Sequence, residues 1–167
     1  MHSLPPTSSR GSITVTVFSW AHPILSSNLS RNQPVQKVQN FAARLILMAP
    51  CHHHSTLLLK KLHWLSISER IKYKVACMCF NAINGSCPTY LSELLHIYNP
   101  SRTLRSSSDS RMLKIQQYKR KTHGFRTFTY FGRYVLNSPP QDIRQCSTPP
   151  SFKTKLKTFL FFTVFFF

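Results

Sequence analysis

Ser66-Ile67-Ser68-Glu69-Arg70-Ile71-Lys72-Tyr73-Lys74-Val75-Ala76-Cys77-Met78-Cys79-Phe80-Asn81-Ala82-Ile83-Asn84-Gly85 is the stretch that decides the fold. Ser66 followed three residues later by Glu69 is a capping-box pattern: the serine hydroxyl accepts from the backbone N–H near Glu69 while the carboxylate reaches back. Ile67, Ile71, Val75, Met78, Cys79, Ala82 and Ile83 recur at helical spacing and define a broad face to bury. Gly85 is a natural left-handed stop, because it carries no Cβ to clash. The spacing predicts a helix from Ser66 to about Asn84.

Toward the N-terminus, Val35, Val38, Phe41, Ala42, Leu45, Ile46 and Ala49 form another apolar stripe, with Pro34 suited to its first turn and Pro50 ending it. A shorter helix is expected from about Ser55 to Leu65, with Leu58, Leu62 and Leu65 near one face. Toward the C-terminus, Pro88 stands where a new helix starts, and Tyr90, Leu91, Leu94, Leu95 and Tyr98 supply its apolar side. The expected fold class is mainly α, a small bundle of about four helices. A basic loop or short β-ribbon follows, with Met112 to Ile115 pairing with Tyr118 to Thr122, and then further helices at Phe125 to Leu136 and Ser151 to Leu160. The expected organisation is a disordered leader (1–33), a helical segment (34–98), a basic aromatic-rich segment (99–161) and a Phe-rich tail (162–167).

Composition excludes several function classes. Twenty-two Lys and Arg stand against four acids among 167 residues, a formal net charge of +18. The acids Glu69, Glu93, Asp109 and Asp142 are scattered at least 16 positions apart. Metal-dependent polymerases and nucleases need carboxylates converging on Mg²⁺, a hard cation that wants several charged oxygens, and this supply is too thin. The five cysteines show no framework spacing and no convincing secretion signal precedes them, so reduced thiols and an intracellular location are favoured. No apolar run approaches the ~20 residues of a membrane span. A basic amphipathic membrane-surface helix at 151–160 is a lesser alternative.

Candidate chemistry in the first half is sparse. Cys51-His52-His53-His54 with Cys77, Cys79 and Cys87 offers zinc-type ligands but no paired knuckle, and Cys77 and Cys79 point about 200° apart on a helix. Neither a metal nor any other cofactor is expected. No nucleophile-elbow motif occurs, and four glycines supply no phosphate-cradling loop. The functional promise lies in Arg102, Arg105, Arg111, Lys114, Lys119, Arg120, Lys121, Arg126 and Arg133, interleaved with aromatics that include Tyr118 and Phe125. Cations neutralise phosphates and aromatic faces stack bases, a mixture suited to RNA or single-stranded DNA without sequence preference. The bland reading is that the aromatics are core and the cations a solvated face. Whole-chain charge favours nucleic acid.

Short motifs in fixed order carry a family resemblance. Val38-Gln39-Asn40-Phe41-Ala42-Ala43-Arg44-Leu45, Leu62-His63-Trp64-Leu65 with Arg70-Ile71 and Lys74, Asn81-Ala82-Ile83-Asn84-Gly85 and Pro88-Thr89-Tyr90-Leu91 begin the series. Pro100-Ser101-Arg102-Thr103-Leu104-Arg105, Lys121-Thr122-His123-Gly124, Asn137-Ser138 with Pro140, and Ser151-Phe152-Lys153 continue it. Together they resemble the region downstream of the polymerase palm in jockey-like, LINE-type (non-LTR) retrotransposon reverse transcriptases. The resemblance implies a non-catalytic part of an RNA-directed DNA polymerase that helps hold template RNA or target DNA, with the palm of the intact parent as a further partner. The family's metal-binding aspartates have no counterparts here, since no Tyr-x-Asp-Asp box and no Asp-Asp pair occurs. A host-used helical interaction module, and a decayed reading frame with no working product, are the alternative expectations.

Overall fold

A computed structural model describes residues 23–99, 111–115 and 127–166, with side chains from Asn32 onward. Seven helices are found among the described residues. They are α1 (Pro23–Leu47), α2 (Ser55–Lys61), α3 (Ile67–Ile83), α4 (Thr89–Glu93), α5 (Phe128–Asn137), α6 (Gln141–Arg144) and α7 (Pro149–Phe165). The mainly helical class expected from the sequence is what the chain adopts.

Helix α3 is the hub, packing against α1, α4, α5 and α7. Its ends fall where Ser66 and Gly85 put them, but the capping differs. Ser66 Oγ lies 3.0 Å from Ser68 Oγ and makes no cap, and Glu69 pairs with Lys72 Nζ at 2.7 Å instead of reaching back. The free N–H of Ile67 donates to Gln36 Oε1 at 2.9 Å, so a side chain of α1 caps α3. Gln39 Nε2 donates to the Leu65 carbonyl at 2.8 Å from the same helix. These amides turn α1 over: Gln39 and Ala43 face inward, while Val35, Val38, Phe41, Leu45 and Ile46 face solvent. The apolar stripe read from the sequence is therefore not the packed face of α1. Pro34 also lies within this helix rather than opening it, and 23–33 are helical; the rest of the expected leader lies outside the described residues.

The packed face of α3 matches the expected one at Cys79 and Ala82, with Val75 and Ile83 against the core, and is shifted elsewhere. Ala76, Cys77, Cys79, Phe80 and Ala82 are buried, whereas Ile71 and Met78 are exposed. Small residues explain it. Gly132 of α5 sits so close to Cys79 that an added Cβ would fall 2.6 Å from the sulfur, which lets the two helix backbones approach. Phe80 stacks on Phe152 of α7, with centroids 4.1 Å apart and planes 9° apart, a pair worth about 0.5–1.5 kcal/mol beyond burial. Around this contact Leu65, Leu95, Leu113, Val135, Leu136, Ile143, Leu156 and Leu160 complete the main core. A satellite cluster of Ala43, Leu58 and Leu59 joins α1 to α2 and receives Phe165. Helix α7 thus runs past Leu160, into the expected Phe-rich tail.

Three helices end in the same kind of turn. The N–H of Ala49, Trp64 and Ser86 donates to the carbonyl five residues back, at Arg44, Leu59 and Asn81. The residue before each donor has positive φ: Met48 (49°), His63 (52°) and Gly85 (70°). Only Gly85 announces its turn by residue type.

No strand is named among the described residues. Leu113 makes an isolated antiparallel bridge with Ile97, supported by Tyr98 N–H to the Met112 carbonyl (2.7 Å) and Lys114 N–H to the His96 carbonyl (2.9 Å). The expected ribbon is thus replaced at 112–115 by pairing with 96–98; Tyr118 to Thr122 lie outside the described residues. Asn137 completes the clasp, its amide donating to the Leu113 carbonyl (2.8 Å) and accepting the Leu113 N–H (2.9 Å).

Candidate nucleic-acid interface

Three of the cations singled out in the sequence fall on described residues, and the structure separates them. Lys114 is exposed. Arg111 is half-buried, adopts φ of 73°, and donates through Nη1 to the carbonyls of Arg144 (3.3 Å) and Cys146 (2.8 Å). It neutralises the carbonyl end of α6, where a cation is favoured. Arg133 is 1 % exposed and donates to the carbonyls of Lys114 (2.6 Å) and Leu94. A guanidinium enclosed and engaged in this way cannot meet a phosphate, so Arg133 belongs to the framework that holds 111–115 against α5. Arg102, Arg105, Lys119, Arg120, Lys121, Arg126, Tyr118 and Phe125 lie outside the described residues.

A second cationic group is assembled by the fold. Arg70 and Lys74, one turn apart on the exposed side of α3, stand on one wall of an open cleft of about 520 Å³. Lys157 of α7 lines the same cleft, and the turn His63-Trp64-Leu65 with Tyr73 supplies its apolar and aromatic surface. His63 packs on Phe161, centroids 5.3 Å apart, and Phe161 lies one turn beyond Lys157. That contact ties α7 to the α2–α3 turn, and Lys157 lines the cleft together with Arg70 and Lys74.

The electrostatics of the cleft are one-sided. Arg70, Lys74 and Lys157 have no carboxylate partner among the described residues. Glu69, next in sequence to Arg70, is buried and bound to Lys72. Burial, and then Cys77 beside it, pushes the Tyr73 phenol above its ordinary range, so it stays neutral and able to donate. Trp64 and Tyr73 are half-buried, which leaves each ring a partly accessible surface. Of these residues, the turn, Arg70 and Lys74 stood out in the sequence for their order rather than their charge, and Lys157 only as part of the basic helix expected at 151–160. Lys157 joins them from more than 80 positions away, which no local pattern reveals.

The cysteines take framework positions. Cys77, Cys79 and Cys146 are buried and Cys51 is exposed, all as free thiols. Burial pushes Cys79 up to about 12, making it inert as a nucleophile at neutral pH. Among the described residues no group of three or more His, Cys, Asp or Glu converges on a point where a metal could sit. No helix in them is long and apolar enough to cross a membrane. Comparison with protein-family models, with curated proteins and with solved structures gave no match.

Proposed function

We propose that this chain is a non-catalytic C-terminal portion of a non-LTR retrotransposon reverse transcriptase, and that it binds RNA or single-stranded DNA without sequence preference. The motif order gives the family side of this reading. The observation that carries the binding side is uncompensated charge. With a net charge of +18 and one of its few acids sealed in the Glu69–Lys72 pair, the chain presents a surface of cations that phosphates can neutralise. To this charge the sequence contributes Lys119, Arg120, Lys121 and Arg126, together with Arg102, Arg105 and Lys114. Replacing Arg120, Lys121 and Arg126 together by Ala weakens oligonucleotide binding several-fold and lowers its salt dependence; undiminished binding in that variant overturns their assignment.

The outward stripe of α1 favours a second reading, a helical module that binds protein. Val38 is 68 % and Phe41 62 % exposed, more apolar surface than an isolated helix face normally leaves uncovered. In the retroelement reading the polymerase palm of an intact parent covers that stripe; in the second reading a host protein does. Val38→Asp with Phe41→Asp discriminates. Oligonucleotide affinity stays at the wild-type value if strand binding and α1 are separate, and its loss would place the strand on α1.

A further inference from the structure

We infer that the cleft between α3 and α7 is a single-strand site, in which Arg70, Lys74 and Lys157 hold consecutive phosphates while Trp64 and Tyr73 receive a base. This rests on the nucleic-acid reading above and gives it a location outside the 102–133 segment that the sequence pointed to.

Four observations converge. The cleft's volume, about 520 Å³, lies in the range of sites that take nucleotide-sized ligands. Its cations come from two helices, Arg70 and Lys74 from α3 and Lys157 from α7, so an anionic chain laid along it meets charge from both. None of the three has a carboxylate partner among the described residues, which means that no ion pair there has to break when a phosphate arrives. The cleft also offers aromatic surface, and a base offers every aromatic face a π-partner, at about 1–3 kcal/mol per stacked base.

The same features choose among anions. A free inorganic phosphate would use the cations and leave Trp64 and Tyr73 without a role. A duplex keeps its bases stacked inside, so it too can offer this cleft only its backbone. A single strand supplies phosphates and an unstacked base together. The strand also suits the position of the cleft, which opens on the exposed side of α3 at the turn where His63 holds positive φ. Its aromatic wall is fixed from behind by Leu65 in the core and by the His63–Phe161 contact. A pre-set wall of this kind lowers the ordering cost of binding.

The two tryptophans of the chain make the test direct. Trp20→Phe leaves Trp64 as the sole indole, and its emission is followed as the full-length protein is titrated with oligothymidylate, with a duplex of the same length, and with inorganic phosphate. Oligothymidylate is expected to quench Trp64 saturably, while duplex and phosphate leave it nearly unchanged. Binding is measured in parallel by the anisotropy of a labelled strand. Arg70→Ala, Lys74→Ala and Lys157→Ala together remove three exposed side chains that have no carboxylate partner among the described residues, so the helical circular dichroism stays native. This variant is expected to lose about tenfold or more in affinity and to lower the salt slope by about 2, the share of three phosphate contacts on a single strand. Strand binding that persists within twofold in the triple variant, with Trp64 emission unmoved, overturns the cleft while leaving the nucleic-acid reading intact. Failure of the wild-type chain to bind any strand by anisotropy overturns both.

Discussion

Gly132→Ala isolates the contact on which the packing of α3 against α5 depends. Two effects of opposite sign meet at this position. In a helix interior Ala is favoured over Gly by about 1 kcal/mol, which alone would stabilise the protein. Against it, the new Cβ falls 2.6 Å from Cys79 Sγ and 3.5 Å from Phe128 Cε2. Cys79 is 0 % exposed and has no room to retreat. Overpacking of this kind costs typically 1–3 kcal/mol. The observed contact is shorter than real Cβ atoms tolerate, so the upper part of that range applies and the net loss is about 1–2 kcal/mol. In a domain of this size each kcal/mol lowers Tm by about 2–4 °C. Cys79→Ala removes the obstructing sulfur and is itself destabilising through the cavity it leaves. In that background the added methyl of Gly132→Ala enters the vacated space, and its helix preference emerges as a gain of about 1 kcal/mol. The two substitutions are therefore coupled by roughly 2–3 kcal/mol. Urea unfolding of the four members of the cycle, followed by far-UV circular dichroism, reads this coupling. A stabilising Gly132→Ala in the wild-type background, or additivity within about 0.5 kcal/mol, refutes the close approach of α3 and α5.

Two further predictions follow from buried groups. Arg133→Ala strands the carbonyls of Lys114 and Leu94, each losing a bond from a charged donor; with some relief from removing a buried charge, the cost is about 2–4 kcal/mol. The salt slope of strand binding stays unchanged, because a side chain 1 % exposed releases no counterion; a lowered slope with native stability would return Arg133 to the interface. The second concerns alkali. Cys79 carries its proton up to about 12 when folded, against 9.0 when exposed, so its contribution is complete below pH 9.0 and declines as pH rises toward 12. The slope is about 1.4 kcal/mol per pH unit, and Cys77, Tyr130 and Tyr134, all pushed up chiefly by burial, add in the same direction. Urea midpoints measured from about pH 8 to about pH 11 are expected to fall steeply, and less steeply in Cys79→Ala; a flat profile contradicts the burial of these groups.

The limits of α3 were legible. The helix starts and stops beside Ser66 and Gly85, although only Gly85 acts on its own few residues; the cap at Ser66 comes from Gln36 of α1. Which side of α3 is buried was legible in part: Cys79 and Ala82 are buried and Val75 and Ile83 pack against the core, as the period indicates. Ile71 and Met78 match the apolar period better than Ala76 and Cys77 yet are exposed, because periodicity counts hydrophobicity and not volume, and it is a small residue, Gly132, that lets α5 come close to Cys79. Helix α1 shows the same lesson in reverse. Val35, Val38 and Phe41 mark a core face in the sequence, whereas the hydrogen bonds from Gln36 and Gln39 to the start of α3 fix the opposite side inward. For the candidate site, charge found a cationic region but could not sort its members. Arg133 and Lys114 look alike in sequence, and only the surroundings of Leu94 and Leu113 make one a framework bond and the other a surface cation. The cleft depends on the fold entirely, since α7 must lie beside α3 before Lys157 can line one cleft with Arg70.

The proposed electrostatic binding of single strands is tested most directly by the affinity of the full-length chain for labelled oligothymidylate and a matched RNA across a series of salt concentrations. Comparable binding of both is expected, with log K falling linearly in log salt at a slope of about −0.7 for each phosphate neutralised, several in all. A slope near zero, or no binding even at low salt, would contradict it.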